Sequence, residues 1–220
     1  PLVAEAQKAF AAGRYDEAVV ELLRALDLEP RDARMLDSLG YAYEKKGDRA
    51  RAELDLRWAV QADPKNLKAR YDLAHVLMAR GRPDEARREI ENMLRRNPVN
   101  ARLYGALAEI DLARQDYERA LDESREAVRL DKRYAEGFNL MGSAFRRLGR
   151  PDAAIAAYTR TVALDPDDVT ARNNLGVCLA QMGRYKEAYD QWKIALLIQP
   201  TNTGIRANLE RLRRIEKEKR

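Results

Sequence analysis

The sequence predicts an all-α fold, a tandem array of six helical hairpins closed by one further helix. Three observations predict it. Pro30, Pro64, Pro98, Pro166 and Pro200 fall on one grid of 34 residues, with Lys132 in the missing slot. Ala18, Ala52, Ala86, Ala120, Ala154 and Ala188 repeat that period without a break. Gly13, Gly47, Gly81, Gly149 and Gly183 form a third grid, interrupted only by Gln115, and small residues at Gly40, Ala74, Ala108, Gly142 and Gly176 form a fourth. Self-similarity at a fixed period of this length is the signature of stacked repeats.

The period sets the units at about 1–32, 33–66, 67–100, 101–134, 135–168 and 169–202, with 203–220 as a capping helix. We read them as one solenoid over 1–220, not two domains. The first unit turns at Gly13-Arg14-Tyr15-Asp16-Glu17-Ala18. In the fifth, Phe138, Met141, Ala144, Phe145 and Leu148 mark one helix at helical spacing. Gly149 ends that helix in the left-handed region, which costs glycine little. Pro151 and Asp152 open a second helix that presents Ala154, Ile155, Tyr158, Thr161 and Val162 before Pro166 stops it. The sixth unit repeats the turn as Gly183-Arg184-Tyr185-Lys186-Glu187-Ala188. The recurrent small residues let paired helices approach closely, since a larger side chain there overpacks the contact. In the last stretch Ile205, Leu209, Leu212 and Ile215 lie at helical spacing among charges, as expected of a cap that seals the final repeat.

Composition narrows the chemistry. The chain is 45% hydrophobic, enough for a sizeable core, and no apolar run reaches the roughly 18–20 residues of a membrane span. Cys178 is the single cysteine and His75 the single histidine, which excludes an internal disulfide, most zinc sites and two-imidazole catalysis. There is no phosphate-binding glycine loop, so neither cofactor, metal nor catalytic residue is expected. His75 follows Asp72 by one turn, and is read as a groove histidine hydrogen-bonded to that neighbour. Cys178 is read as a small buried hydrophobe. The formal charge is only +5, far from the field of a dedicated nucleic-acid arm.

The repeated pattern resembles the tetratricopeptide repeat (TPR) family. Unit 169–202 carries Leu175-Gly176, Tyr185, Ala188, Trp192, Ala195 and Pro200, and unit 33–66 carries Leu36, Leu39-Gly40, Tyr43, Ala52, Leu56, Ala59 and Pro64. Unit 101–134 is the least regular: Asp111 and Ser124 stand where the pattern wants large apolar groups, and Lys132 replaces proline. The resemblance implies a right-handed α-α superhelix whose first helices line a concave groove that takes an extended peptide or partner segment. The groove positions it implies are Tyr41, Lys68, Tyr71, His75, Arg102, Asn139, Ser143, Arg146, Arg147, Asn173, Asn174 and Asn208. The early groove is aromatic and of mixed charge. The later groove is rich in Asn, which clamps peptide backbone, and Arg, which captures carboxylates, so an acidic segment is the expected ligand. A clamp for chaperone C-terminal carboxylates is disfavoured, because Asp72 beside Lys68 repels the group to be bound.

These readings point to a non-catalytic scaffold that binds proteins within a multi-protein assembly. The basic residues are mostly arginine, 31 of 41, and suggest a bacterial source. The alternatives are a self-assembling, head-to-tail bacterial scaffold or a pilus-assembly lipoprotein. Residues 1–32 carry net −3 and residues 203–220 net +4, which favours a homo-oligomer. Nucleic-acid binding ranks last, since residues 1–202 together carry only +1. Opening on Pro1 rather than Met, the chain reads as trimmed, so an upstream signal or lipid anchor would not be visible, and cytoplasm and periplasm are both left open.

Overall fold

A computed structural model describes residues 2–218, with side chains described through Ile215. Among the described residues there are thirteen helices and no strand. They fall into two compact units, Pro1–Pro98 and Val99–Arg220. The first holds α1 (Leu2–Ala11), α2 (Tyr15–Leu28), α3 (Ala33–Lys45), α4 (Arg49–Ala62), α5 (Leu67–Ala79) and α6 (Pro83–Leu94). The second holds α7 (Ala101–Ala113), α8 (Tyr117–Leu130), α9 (Ala135–Arg147), α10 (Pro151–Leu164), α11 (Val169–Gln181), α12 (Tyr185–Ile198) and α13 (Thr203–Glu218). Each odd-numbered helix from α1 to α11 packs on the next even one, giving the hairpins that the repeat period requires. The cap expected at 203–220 is α13. Its last two expected residues, 219 and 220, lie outside the described residues.

The helix ends follow local backbone chemistry. All five glycines of the grid between paired helices have positive φ, and in the sixth slot Gln115 adopts φ 63°. Both residue types close the same motif: Arg150 N donates to Phe145 O at 2.9 Å after Gly149, and Asp116 N to Asp111 O at 2.9 Å after Gln115. A further grid emerges at the starts of the first helices. Asp32, Asn66, Asn100, Asp168 and Asn202 each accept a hydrogen bond from a first-turn backbone N–H. The exception is Tyr134, which gives α9 no side-chain cap.

Burial follows the small-residue grid. An added methyl at Gly40 would lie 2.6 Å from Leu56 Cγ, at Gly142 2.7 Å from Tyr158 Cε1, and at Gly176 2.6 Å from Trp192 Nε1. Each partner stands at the same register on the second helix of the same hairpin. Where the grid carries alanine, at Ala74 and Ala108, the residue at that register is Ile90 or Ser124, neither of them larger than leucine. The bulkiest partners, Tyr158 and Trp192, face glycine, as close packing demands. Asp111 and Ser124, both out of pattern, are fully buried: Asp111 Oδ1 accepts from Arg114 Nη1 at 3.2 Å and Ser124 Oγ donates to Leu121 O at 2.9 Å.

Arginine fixes several joints. Arg70 Nε reaches Pro64 O at 3.3 Å and Arg172 Nε reaches Pro166 O at 2.8 Å, each tying a first helix to the loop before it. The same guanidinium groups then grip the second helix, Arg70 on Glu89 at 2.7 Å and Arg172 on Gln191 at 3.0 Å. In the first unit Glu53, 8% exposed, accepts from Arg57, Arg80 and Arg82 at 2.6–2.8 Å. Burial pushes the Glu53 carboxyl up, but hydrogen bonds from Arg57 and Arg82 outweigh it and hold it below its usual range.

Candidate functional site

First helices of successive hairpins stand against one another inside each unit, α3 against α5 and α7 against α9, and the cap α13 stands against α11. Side chains at the positions expected to line a groove therefore meet across two helices. In the first unit, Lys68 Nζ on α5 sits between Asp37 Oδ2 on α3 at 2.9 Å and Asp72 Oδ2 one turn away at 2.7 Å. Asp37 is 6% exposed, and its Oδ1 is buried with no hydrogen-bond partner among the described residues. Burial raises its carboxyl above the ordinary value even though Lys68 pulls the other way. The Tyr41 ring lies under two ammonium groups, Lys45 at 5.0 Å and Lys68 at 5.7 Å, and stands 5.9 Å from the Phe10 ring. Tyr71 is exposed on the same helix as Lys68.

The expected His75–Asp72 pair is not the one formed. His75 Nδ1 lies 2.9 Å from Glu44 Oε1 on α3, while Asp72 is taken by Lys68. Both histidine and lysine thus bridge neighbouring first helices. This part of the wall is largely self-neutralised, and a ligand carboxylate brought to Lys68 would meet two aspartates.

In the second unit Arg102 is exposed at the start of α7. Ser143 Oγ on α9 lies 3.0 Å from Tyr158 Oη on α10, and the Arg146 guanidinium is close enough to that hydroxyl to act on it electrostatically. Burial is the main reason that the Tyr158 phenol is raised, with Ser143 and Arg146 pulling it down. Arg147 turns away to cover the Tyr117 ring at 5.1 Å. Asn139 is half-buried, with Oδ1 lacking a hydrogen-bond partner among the described residues. Asn174 is half-buried on α11. Asn173 Oδ1 accepts from Trp192 Nε1 at 3.2 Å and from Asn208 Nδ2 on α13 at 2.9 Å. Ser143 and Arg146 are thus brought together, as are Asn173 and Asn208, while Arg147 is drawn to a different contact.

Two features escaped the sequence reading. Tyr158 gathers Ser143 and Arg146; its signal was Gly142, the small residue that its ring covers. Trp192 floors a cleft of about 220 Å³ between α11 and α13, whose lining includes Val177, Gln181, Arg211, Leu212 and Ile215. Cys178 is fully buried and its thiol is raised by that burial, which keeps it an unreactive packing group. Among the described residues no cluster of three or more His, Cys, Asp or Glu could hold a metal ion, and no helix is long and apolar enough to cross a membrane.

Comparison with known proteins agrees with this architecture. Residues 45–110 and 139–195 each match a family model described as tetratricopeptide repeat, and residues 7–47 match one described as TPR repeat. A stretch of 99 residues is 30% identical to Translocon at the outer membrane of chloroplasts 64 of Pisum sativum, covering 45% of this chain but 17% of that protein. The chain therefore spans a small part of that curated relative's length. A thermophilic TPR protein of Thermus thermophilus superposes with TM-score 0.69 at 25% identity, over 82% of this chain and 98% of that one. A tetratricopeptide repeat protein of Parabacteroides merdae superposes with TM-score 0.82 at 15% identity, over 99% of this chain and 86% of that one, and shows the shared fold.

Proposed function

The chain belongs to the tetratricopeptide repeat family, whose domains are generally protein–protein interaction modules, and from that premise we propose that it is a non-catalytic scaffold holding an extended segment of a partner protein along its first helices. The observation that carries this reading is the set of side-chain bridges between neighbouring first helices, Lys68 to Asp37 and His75 to Glu44, and from the cap to the last first helix, Asn208 to Asn173. Within each unit they build a polar wall two helices wide, of the kind along which an extended chain can lie. The repeat register runs unbroken from the first unit into the second, which supports a single array over 1–220.

The ligand positions are Tyr41, Lys68, Tyr71 and His75 in the first unit, the early positions, and Arg102, Asn139, Ser143, Arg146, Arg147, Asn173, Asn174 and Asn208 in the second, the late positions. An acidic stretch of the partner belongs against the late positions, because Lys68 is already occupied by Asp37 and Asp72. Selection from a random peptide display library tests this. Wild type should enrich acidic sequences, and a triple variant Arg102→Glu, Arg146→Glu, Asn174→Ala should bind them at least 10-fold more weakly. Equal affinity in the variant, or loss instead on Trp58→Glu at the exposed face of α4, overturns the reading.

A second reading, head-to-tail self-assembly of this chain, is favoured by one observation, the net −3 of residues 1–32 against the net +4 of residues 203–220. It calls for sedimentation at low and high salt: an association that salt dissolves supports it, and a monomer at every concentration in low salt removes it.

A further inference from the structure

We propose that the cleft floored by Trp192 between α11 and α13 is a binding site for one bulky apolar side chain of a partner peptide whose flanking residues are carboxylates. The inference rests on the groove reading above and narrows it to a ligand class. At about 220 Å³ the cleft lies below the roughly 300–1,000 Å³ of pockets that enclose whole drug-sized ligands, and matches the scale of a single side chain. Five of its eight lining residues are apolar, Val177 and Ala180 from α11, Leu212 and Ile215 from α13, and Trp192 from α12; the other three are Gln181, Asn208 and Arg211.

The floor is held rigidly. Gly176 lets the indole press so close that an added methyl would lie 2.6 Å from Nε1, and the same Nε1–H is satisfied by Asn173. The indole thus leaves no polar hydrogen to solvate, and it is ordered before any ligand arrives, which lowers the entropic cost of binding. Asn173 Oδ1 accepts from both Trp192 and Asn208, so Asn208 is oriented with Nδ2 toward Asn173 and Oδ1 left as an acceptor beside the cleft. An acceptor there suits a main-chain N–H of an extended peptide.

Charge selects the flanks. The part of α13 with described side chains carries Arg206, Arg211, Arg213 and Arg214 against Glu210 alone, and Arg211 itself lines the cleft. Carboxylates on either side of the anchor are attracted and can be held bidentately, whereas lysines are repelled.

The protein has two tryptophans, so a Trp58→Phe background leaves Trp192 as the only indole reporter. The full chain is titrated with a capped pentapeptide bearing phenylalanine between paired glutamates, and with its central-alanine and lysine-flanked versions. Expected is a saturable change in Trp192 emission with the first peptide, and affinity at least 10-fold weaker with either of the others. Ala180→Leu, which fills the cleft, and Arg211→Glu should each weaken the first peptide at least 10-fold without moving the melting temperature. Should Ala180→Leu fail to fold, Arg211→Glu and the phenylalanine–alanine comparison still decide. Binding that ignores both substitutions but is lost on Asn174→Ala with Arg102→Glu overturns the cleft assignment and leaves the groove reading standing. No response by wild type overturns the cleft, and the groove then stands or falls on the display selection. A self-associating wild type that Ala180→Leu turns monomeric, with no peptide response, makes a second copy the occupant and also overturns the proposal.

Discussion

The phenolic oxygen of Tyr134 lies over the bare α-carbon of Gly105, where an added methyl would meet it at 2.5 Å. The same ring covers Gly137, where an added methyl would lie 2.7 Å from Tyr134 Cδ1. Tyr134 occupies the slot that caps a first helix in the other hairpins, and it trades that cap for a wedge between α7 and α9. Its hydroxyl donates to Glu136 Oε2 at 3.0 Å. At Tyr134, unit 101–134 thus exchanges a helix cap for packing.

Gly105→Ala should destabilise the protein. In an open helix alanine gains about 1 kcal/mol over glycine, whereas overpacking costs about 1–3 kcal/mol, so the clash decides the sign. In a Tyr134→Ala background the clash is gone and the same change should stabilise. Urea unfolding of the four proteins in the cycle checks this, and a Gly105→Ala effect of the same sign in both backgrounds would refute the wedge.

Gln115→Gly should stabilise by about 1 kcal/mol, because a side chain at φ 63° carries the left-handed penalty that glycine escapes. The reverse change, Gly149→Gln, should lose a similar amount at φ 70°. Thermal midpoints of the two variants, shifted in opposite directions, are the expected result.

Asp55 should weaken the fold once pH rises past about 6. Burial, aided by Asp48 and only partly offset by Arg51, pushes its carboxyl from 3.8 up to about 6. Glu89 and Gln191, at the equivalent place in their hairpins, have Arg70 and Arg172, but the position that would supply the arginine for Asp55 holds Leu36. A raised carboxyl binds its proton more tightly folded than unfolded, so stability from this group falls as pH rises from about 4 through 6. Asp55→Asn should therefore gain about 1–2 kcal/mol at pH 7.5, allowing for solvent screening, and almost nothing near pH 4. Unfolding measured at both pH values tests it; an equal gain at each would exclude the ionisation.

Glu53→Ala should cost about 2–3 kcal/mol, since it leaves Arg57, Arg80 and Arg82 without their shared partner. Its lowered carboxyl stabilises fully above the ordinary value of 4.5 and loses that contribution as pH falls through the lower folded value. The variant's deficit should accordingly shrink in acid below 4.5. Glu5→Ala, which breaks the exposed pair with Lys8, should change stability by less than about 1 kcal/mol.

The sequence alone determined the hairpins, their period and their ends, because prolines, turn glycines and small contact residues answer to local backbone and pair-packing chemistry that recurs in every repeat. It also singled out Tyr41, Lys68 and Asn173 on first helices and Asn208 on the cap. Tertiary structure decided which of these side chains meet. His75 chooses Glu44 on the preceding first helix over Asp72 on its own, and Asn208 reaches back from the cap to Asn173. Gly105 is small for the sake of Tyr134, which lies beyond the whole of α8 in the chain. Contacts between helices depend on rotamers and on burial across the stack, which a one-dimensional period does not encode.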